Sequence, residues 1–331
     1  MPVPDSLLAD GIADRLIVSP IKRHDIWKMY KQMLASFWTV EEVDLSQDRA
    51  DFLSLSMPAQ QVITNVLAFF AIADGIVVEN LADNFCKEMT AQEATFAYTT
   101  QAFMETIHSE MYSALLETIV PDTDERSKTI TMAVVSPHIV NKTAFCQKYM
   151  SEDVDFGERL VAFCVVEGVL FSSSFAFIYW LKTKGKMPGL CFSNELIARD
   201  EGMHRDLGVL LFTNYLGESR PEAHKVHEIV SEAVKLEQSF VKTSMSIGLL
   251  GLSTDDMCQY VEFIADHLLT SMNVDKLYNK PNPLDFMELL SLQGKTNFFE
   301  KRVGEYQKTN VGNTDANRFK LVDFGKGDFD S

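Results

Sequence analysis

The sequence predicts an all-α protein, and three observations carry that prediction. Glycine and proline are scarce for a chain of 331 residues, at 16 and 10, and proline is sparse through the middle, which favours long helices over many turns. Apolar residues recur at helical spacing along most of the chain, and no region reads as strand-rich. Two copies of one pattern, Glu105-Thr106-Ile107-His108 and Glu201-Gly202-Met203-His204, place an acid and an imidazole three residues apart. On a helix such residues sit one above the other, so each copy aims a carboxylate and an imidazole at a single point.

Two further acids give the pattern meaning. Asp74, in Val66-Leu-Ala-Phe-Phe-Ala-Ile-Ala-Asp74-Gly-Ile-Val-Val78, is the only charge in an apolar stretch. Glu167, in Val161-Ala-Phe-Cys-Val-Val-Glu167-Gly-Val-Leu-Phe171, is another. A buried carboxylate without a partner costs several kcal/mol, so each calls for a cation, a partner or a proton. The order along the chain is acid, Glu-x-x-His, acid, Glu-x-x-His, with one helix and a turn separating acid from pair in both halves. Four helices supplying four carboxylates and two histidines is the ligand plan of a dinuclear carboxylate metal centre in a ferritin-like helical bundle. One imidazole per metal in a carboxylate set favours Fe or Mn over Zn or Cu.

Bulk composition narrows the function classes. A hydrophobic content of 46% is ample for a large core, and a net charge of -17 argues against nucleic acid as partner. Five cysteines without a C-x-x-C pair suit a reducing, cytoplasmic compartment. The start, Met1-Pro-Val-Pro-Asp5, lacks the basic and apolar regions of a signal peptide. No uninterrupted apolar run approaches a membrane span, so no membrane is expected.

Taken in order, residues 1–24 show no clear period, break at Ser19-Pro20, and are expected to lie as an N-terminal arm on the body. A helical pattern runs from His24 through Met29, Tyr30, Met33 and Leu34 to Phe37-Trp38. Acidic Glu41, Glu42 and Asp44 follow, then a second short segment. Ser56-Met57-Pro58 reads as the capped start of a helix that carries Asp74 and ends near Phe85. Thr90 is expected to cap the next helix, with Glu93 completing a capping box. That helix carries Glu105, His108 and Tyr112 and stops before Pro121. One or two helices fill 123–150, and Asp155-Phe156-Gly157 precedes the Glu167 helix, which ends near Lys184-Gly185. Lys186-Met187-Pro188-Gly189 reads as a turn, after which Ser193 or Asn194 opens the Glu201 helix, closing near Leu216-Gly217. A polar amphipathic helix follows from Pro221 to about Phe240, and another from Thr254 or Asp255 to about Leu269. Beyond Pro281-Asn282-Pro283 the periodicity weakens, and 307–331, rich in Asn, Asp, Gly and Lys, reads as a flexible tail. The expected division is an arm (1–24), a ferritin-like helical domain (25–306) and that tail.

Around the expected centre, Tyr112 shares a helix face with Glu105 and His108. By position it reads either as an ordinary core tyrosine or as a phenol beside the metals. Phe171 and Phe175 follow Glu167 by four and eight residues, and Ile197 precedes Glu201 by four. Singly these are core residues; with Tyr112 they could form a dry pocket that protects an oxidised side chain. Asp200 lies about 100° round the helix from Glu201 and cannot point where that residue points. It can orient a ligand histidine through the ring nitrogen that faces away from the metal, or form a surface salt bridge. His224 and His227, on a polar helix, read as solvated surface.

These residues sit in longer stretches that carry a resemblance. They are Ser36-Phe-Trp-Thr-Val-Glu-Glu-Val-Asp-Leu-Ser46, Leu67-Ala-Phe-Phe-Ala-Ile-Ala-Asp-Gly-Ile-Val77, Met104-Glu-Thr-Ile-His-Ser-Glu-Met-Tyr112 and Val166-Glu-Gly-Val-Leu-Phe-Ser-Ser-Ser-Phe175. Met187-Pro-Gly-Leu-Cys-Phe-Ser-Asn-Glu-Leu-Ile-Ala-Arg-Asp-Glu-Gly-Met-His204 and Gly294-Lys-Thr-Asn-Phe-Phe-Glu-Lys-Arg-Val-Gly-Glu-Tyr-Gln307 complete the set. Together they resemble the small, radical-bearing subunit of class I ribonucleoside-diphosphate reductase, of the eukaryotic type.

The resemblance implies roles position by position. Asp74, Glu105 and His108 would bind one iron of an oxo-bridged pair and Glu167, Glu201 and His204 the other, with manganese as an alternative metal. Tyr112 falls where the family holds its stable tyrosyl radical. Trp38 and Asp200, with His108, match its electron and proton path, and Tyr306 the tyrosine that relays the radical to the large subunit. The protein would be a homodimer whose C-terminal tail binds that large subunit, where ribonucleoside diphosphates are reduced to deoxyribonucleotides. Phe319 to Phe324 resembles the family's docking peptide, but seven residues follow it, so Phe319, Phe324 and Phe329 all remain candidate anchors. The rival is another ferritin-like oxidase or fatty-acyl desaturase, which shares the paired Glu-x-x-His plan but has no need of Tyr112, Trp38 and Tyr306 together.

Overall fold

In the computed structural model residues 3–287 are described, apart from 152, 244 and 246. Among them there is no strand. Eleven helices organise the description: α1 His24–Ala35, α2 Asp48–Ser54, α3 Met57–Asn80, α4 Gln92–Ile119, α5 Thr123–Val134, α6 Pro137–Met150, α7 Phe156–Val165, α8 Ser172–Thr183, α9 Pro188–Asn214, α10 Ala223–Thr243 and α11 Thr254–Ser271. The chain to Leu284 forms one compact unit. Of the second unit, Asp285–Ser331, only Asp285–Met287 are described, as helix. Tyr306 and the expected tail with Phe319, Phe324 and Phe329 lie outside the described residues.

Four helical rods build the centre. The α3 and α4 rods pack along each other, as do α7 and α9, and α4 touches α9 to join the pairs. The fourth rod is composite, because between α7 and α8 the backbone widens into a π turn, Val166–Leu170. A second π turn, Leu81–Phe85, follows α3. Proline stands in the first turn of α3, α6 and α9, where its missing N–H has no intrahelical partner to lose.

By length and composition the α3 and α7–α8 rods could cross a membrane, although Asp74 and Glu167 interrupt their apolar runs. Their most apolar windows are 61% and 94% buried inside the protein. A helix enclosed by others is apolar all round, which explains the composition. These two rods are the ones that carry the lone acids Asp74 and Glu167.

Two helix starts differ from the sequence reading, and both for long-range reasons. The Glu201 helix α9 begins at Pro188, not at Ser193 or Asn194, which are buried in its interior. Its free amides are capped from α2: Asp48 accepts from the N–H of Gly189 and Leu190 at 2.9 and 2.6 Å, and Asp51 from Met187 at 2.9 Å. Close approach makes glycine necessary at 189, where a Cβ would lie 2.6 Å from the Asp44 carbonyl. Thr90 and Glu93 do not form a capping box on α4, whose N-cap is Ala91. The arm takes both side chains instead. Thr90 accepts from Ala9 N–H, and Glu93 accepts from Lys22 N–H, Arg23 N–H and the Arg23 guanidinium. Ser56 stands at the N-cap of α3 as expected, but its hydroxyl makes no capping bond.

Candidate metal centre

Six side chains converge between the rods: Asp74 from α3, Glu105 and His108 from α4, Glu167 from the π turn, and Glu201 and His204 from α9. None is more than 3% exposed. Their ligand atoms fall into two groups that share Glu105, namely Asp74, Glu105 and His108, and Glu105, Glu167, Glu201 and His204. Within each group the atoms lie within 4.8 Å of one another. The i, i+3 spacing does in space what it promises in sequence: His108 Nδ1 is 3.1 Å from Glu105 Oε2 and 3.1 Å from Glu201 Oε1. His204 Nδ1 is 2.8 Å from Glu105 Oε1 and 3.6 and 3.7 Å from Glu167 Oε2 and Glu201 Oε2.

The donor set fits a metal pair. Both oxygens of Asp74 and of Glu201, one oxygen each of Glu105 and Glu167, and both ring nitrogens of His204 are buried without a hydrogen bond. Buried polar atoms are rarely left so, and here all but Nε2 of His204 belong to the two groups of ligand atoms that meet between the rods. Even with both imidazoles protonated, the cluster holds two carboxylates in excess. Burial pushes Asp74 and Glu167 well above the carboxylate range, and the neighbouring Glu105 and Glu201 push them further. For Glu201 burial acts upward too, but the polar groups of Glu167, His108 and His204 close beside it hold it well below. Burial would lower both imidazoles, yet Glu105 and the other carboxylates raise them well above their ordinary value. Bound cations would take the place of these compensating protons.

The two Glu-x-x-His copies are not equivalent. His108 turns its second nitrogen, Nε2, to Asp200 Oδ2 at 3.3 Å, whereas Nε2 of His204 has no hydrogen-bond partner. Asp200 is wholly buried and also accepts the Trp38 indole N–H at 2.8 Å. Its other oxygen accepts from Arg199 Nε and NH2 at 2.9 and 2.7 Å. Asp200 therefore joins a histidine contact on one oxygen to an arginine pair on the other, and its burial rules out a surface salt bridge. The Trp38 and His108 rings lie nearly parallel, 6.2 Å apart.

Tyr112, one turn after His108 on α4, is buried and stacks on Phe70, with ring centres 4.9 Å apart. Phe70 in turn packs against Phe171 and Phe175. Ile197 is buried as well. Burial drives the Tyr112 phenol well above its ordinary pKa, and among the charges that add to this Asp74 comes first. The phenol thus stays protonated, in an apolar enclosure, within the field of the four carboxylates.

Comparison with known proteins agrees with this geometry. The family model for the ribonucleotide reductase small chain matches residues 15–283. The small chain of ribonucleoside-diphosphate reductase from Spisula solidissima is 51% identical over 322 residues, covering 96% of this chain and 83% of that one. The small chain from Nicotiana tabacum is 48% identical over 324 residues, covering 96% and 98%. The chain belongs to the ribonucleotide reductase small-chain family. Its fold matches the solved ribonucleotide reductase Rnr4 homodimer from Saccharomyces cerevisiae with a TM-score of 0.79, at 34% identity, covering 91% of this chain and 92% of that one. Membership makes it a component of an oxidoreductase that supplies deoxyribonucleotides for DNA synthesis, and sets aside the desaturase reading.

Two contacts at this small-chain centre escape the sequence reading. Gln101, wholly buried one turn before Glu105, donates from Nε2 to Glu167 Oε1 at 3.3 Å. Phe70, one turn before Asp74, supplies the face on which Tyr112 lies. The i−4 spacing from a ligand was the available signal in both cases.

Proposed function

We propose that the buried cluster holds two metal ions, and that the protein uses them to form and store a radical on Tyr112. The observation that carries this is the set of unpartnered oxygen and nitrogen atoms from four carboxylates and two imidazoles, closed off from water. Carboxylate-rich ligation favours iron, with manganese the alternative. Asp74, Glu105 and His108 would hold one ion and Glu167, Glu201 and His204 the other. The metal pair, when bound, supplies oxidising power drawn from dioxygen.

The chain's own residues do the rest. Phe70, Phe171, Phe175 and Ile197 exclude water around Tyr112, which lengthens the life of an oxidised phenol. His108, Asp200 and Trp38 form a hydrogen-bonded line from the centre toward α1, a route by which an electron and a proton can pass inward together as the oxidising equivalent moves outward. Tyr306 would extend that route toward a large subunit, bound by the 307–331 tail, on which ribonucleoside diphosphates are reduced. The homodimeric yeast relative supports a homodimer here, and five free cysteines support the cytoplasm. The proposed division remains an arm (1–24), a metal-binding helical domain (25–306) and the tail.

The test is an optical and electron paramagnetic resonance spectrum of metal-free protein after ferrous iron and oxygen, beside Tyr112→Phe. Oxo-bridged iron absorption with an organic radical that disappears in the variant is the expected result. A radical that survives in Tyr112→Phe refutes the assignment of its site, and failure to take up iron or manganese refutes the centre.

A further inference from the structure

Glu167 sits where its rod departs from α geometry, and that departure has to be held. The π turn does not run smoothly into α8, because Phe171, at φ −99° and ψ −10°, stands between them. Where a helix changes register, backbone groups near the junction lose their regular partners and need others. Here two neighbouring helices provide them. Lys142 of α6 donates from Nζ to the Leu170 carbonyl at 3.0 Å. Glu237 of α10 accepts the Ser173 N–H at Oε1, at 3.2 Å, and the Ser173 hydroxyl at the same oxygen. The two side chains also meet, with Lys142 Nζ 2.5 Å from Glu237 Oε2.

The pair is enclosed. Lys142 and Glu237 are 1% and 0% exposed, and the ammonium lies between the faces of Phe69 and Phe240, at 3.9 and 4.0 Å from their centres. A buried ion pair seldom stabilises a fold more than apolar residues of the same volume would. Its placement at both sides of a register shift points to a role other than stability.

We propose that Lys142 and Glu237 are positioning residues for the metal centre: they clamp the two sides of the junction after the π turn and so set where the Glu167 carboxylate points. The proposal rests on the reading of the cluster as a metal site. Lys142 acts through the backbone at Leu170 and Glu237 through the backbone at Ser173, both within two turns of Glu167. The same clamp fixes Phe171, which lies edge-on to Phe69 and Phe70 beside the Tyr112 stack.

The experiment uses the full-length chain carrying K142M and E237M together, which removes both charges while filling the same space. Helix content and thermal midpoint should stay near those of the unaltered protein. In the metal-free variant, amides of 166–174 should exchange with deuterium at least about tenfold faster, while those of α9 keep their rates. Manganese(II) affinity, read by titration, should fall about 10–100-fold. The pair K142M and E237Q returns an acceptor to the Ser173 N–H and should recover part of the protection. Unchanged exchange and unchanged affinity overturn the proposal. Global unfolding of the double variant overturns it too, since the pair would then serve the fold and not the turn. An unaltered protein that binds no manganese or iron removes the metal reading instead, and the exchange rates at 166–174 still decide the clamp.

Discussion

Replacing Asp200 by asparagine should expose how much of the centre depends on one carboxylate that points away from it. Asp200 serves donors on two sides: Trp38 Nε1 at 2.8 Å and His108 Nε2 at 3.3 Å on Oδ2, and Arg199 Nε and NH2 at 2.9 and 2.7 Å on Oδ1. An asparagine has a single acceptor oxygen. If it serves Arg199, the amide NH2 meets the indole and imidazole donors head-on; if it turns round, the guanidinium loses its carboxylate and keeps the Ser36 carbonyl. Arg199 is 18% exposed and reaches some water, so the first arrangement leaves the larger deficit, on two fully buried rings.

A buried donor left unpaired costs about 1–3 kcal/mol, and a bond to a charged acceptor contributes about 1.5–3 kcal/mol. The metal-free variant should therefore lose about 2–4 kcal/mol of unfolding free energy, measured by urea denaturation. Separately, His108 keeps at best a neutral amide oxygen in place of an anionic acceptor, which weakens the hold on its ring, and metal affinity should fall about 10–100-fold, or about 1.4–2.7 kcal/mol. Trp38→Phe is the control, because it removes the indole donor and leaves the His108 contact; metal affinity should hold. If Asp200→Asn binds manganese or iron as tightly as the unaltered chain, the contact at 3.3 Å does not orient the ligand, and the argument fails.

Two further perturbations probe the packing that supports the site. At Gly208 of α9 an added Cβ would lie 2.3 Å from Cys164 Sγ on α7, so Gly208→Ala should destabilise the chain by about 1–3 kcal/mol. Adding Cys164→Ala should restore most of that loss, and a Gly208→Ala chain as stable as its parent would show that α7 and α9 separate freely. Glu93 tests the arm. Burial acts to raise its carboxyl, but the amides of Lys22, Glu93 itself and Arg23, with the Arg23 guanidinium, hold it below the ordinary 4.5. A lowered acid stabilises the folded chain above its unfolded pKa and loses that contribution as pH falls through the folded one. The stability difference between the unaltered chain and Glu93→Gln should thus shrink once pH drops below 4.5, and a constant difference down to pH 3 would refute it.

Much of the centre is legible in sequence because its information is local. A helix repeats every 3.6 residues, so Glu105 with His108, and Glu201 with His204, declare a common face without any knowledge of the fold. Asp74 and Glu167 stand out because a lone charge in an apolar rod must be paired or protonated when that rod is buried. These four signals, with their order and spacing, determine the helical class, the four rods and the six residues of the buried cluster.

Tertiary structure decides what depends on residues far apart in the chain. The start of α9 is set by Asp48 and Asp51, more than 130 positions earlier, which cap amides that local sequence assigns to a turn. Thr90 and Glu93 have the spacing of a capping box, but the arm offers them several donors and wins the competition. Which oxygen of Asp200 meets His108, which ring covers Tyr112, and how Lys142 and Glu237 hold the backbone beyond Glu167 follow from packing between rods. Periodicity along one helix tells which face is buried; it carries no record of the side chain that will lie against that face.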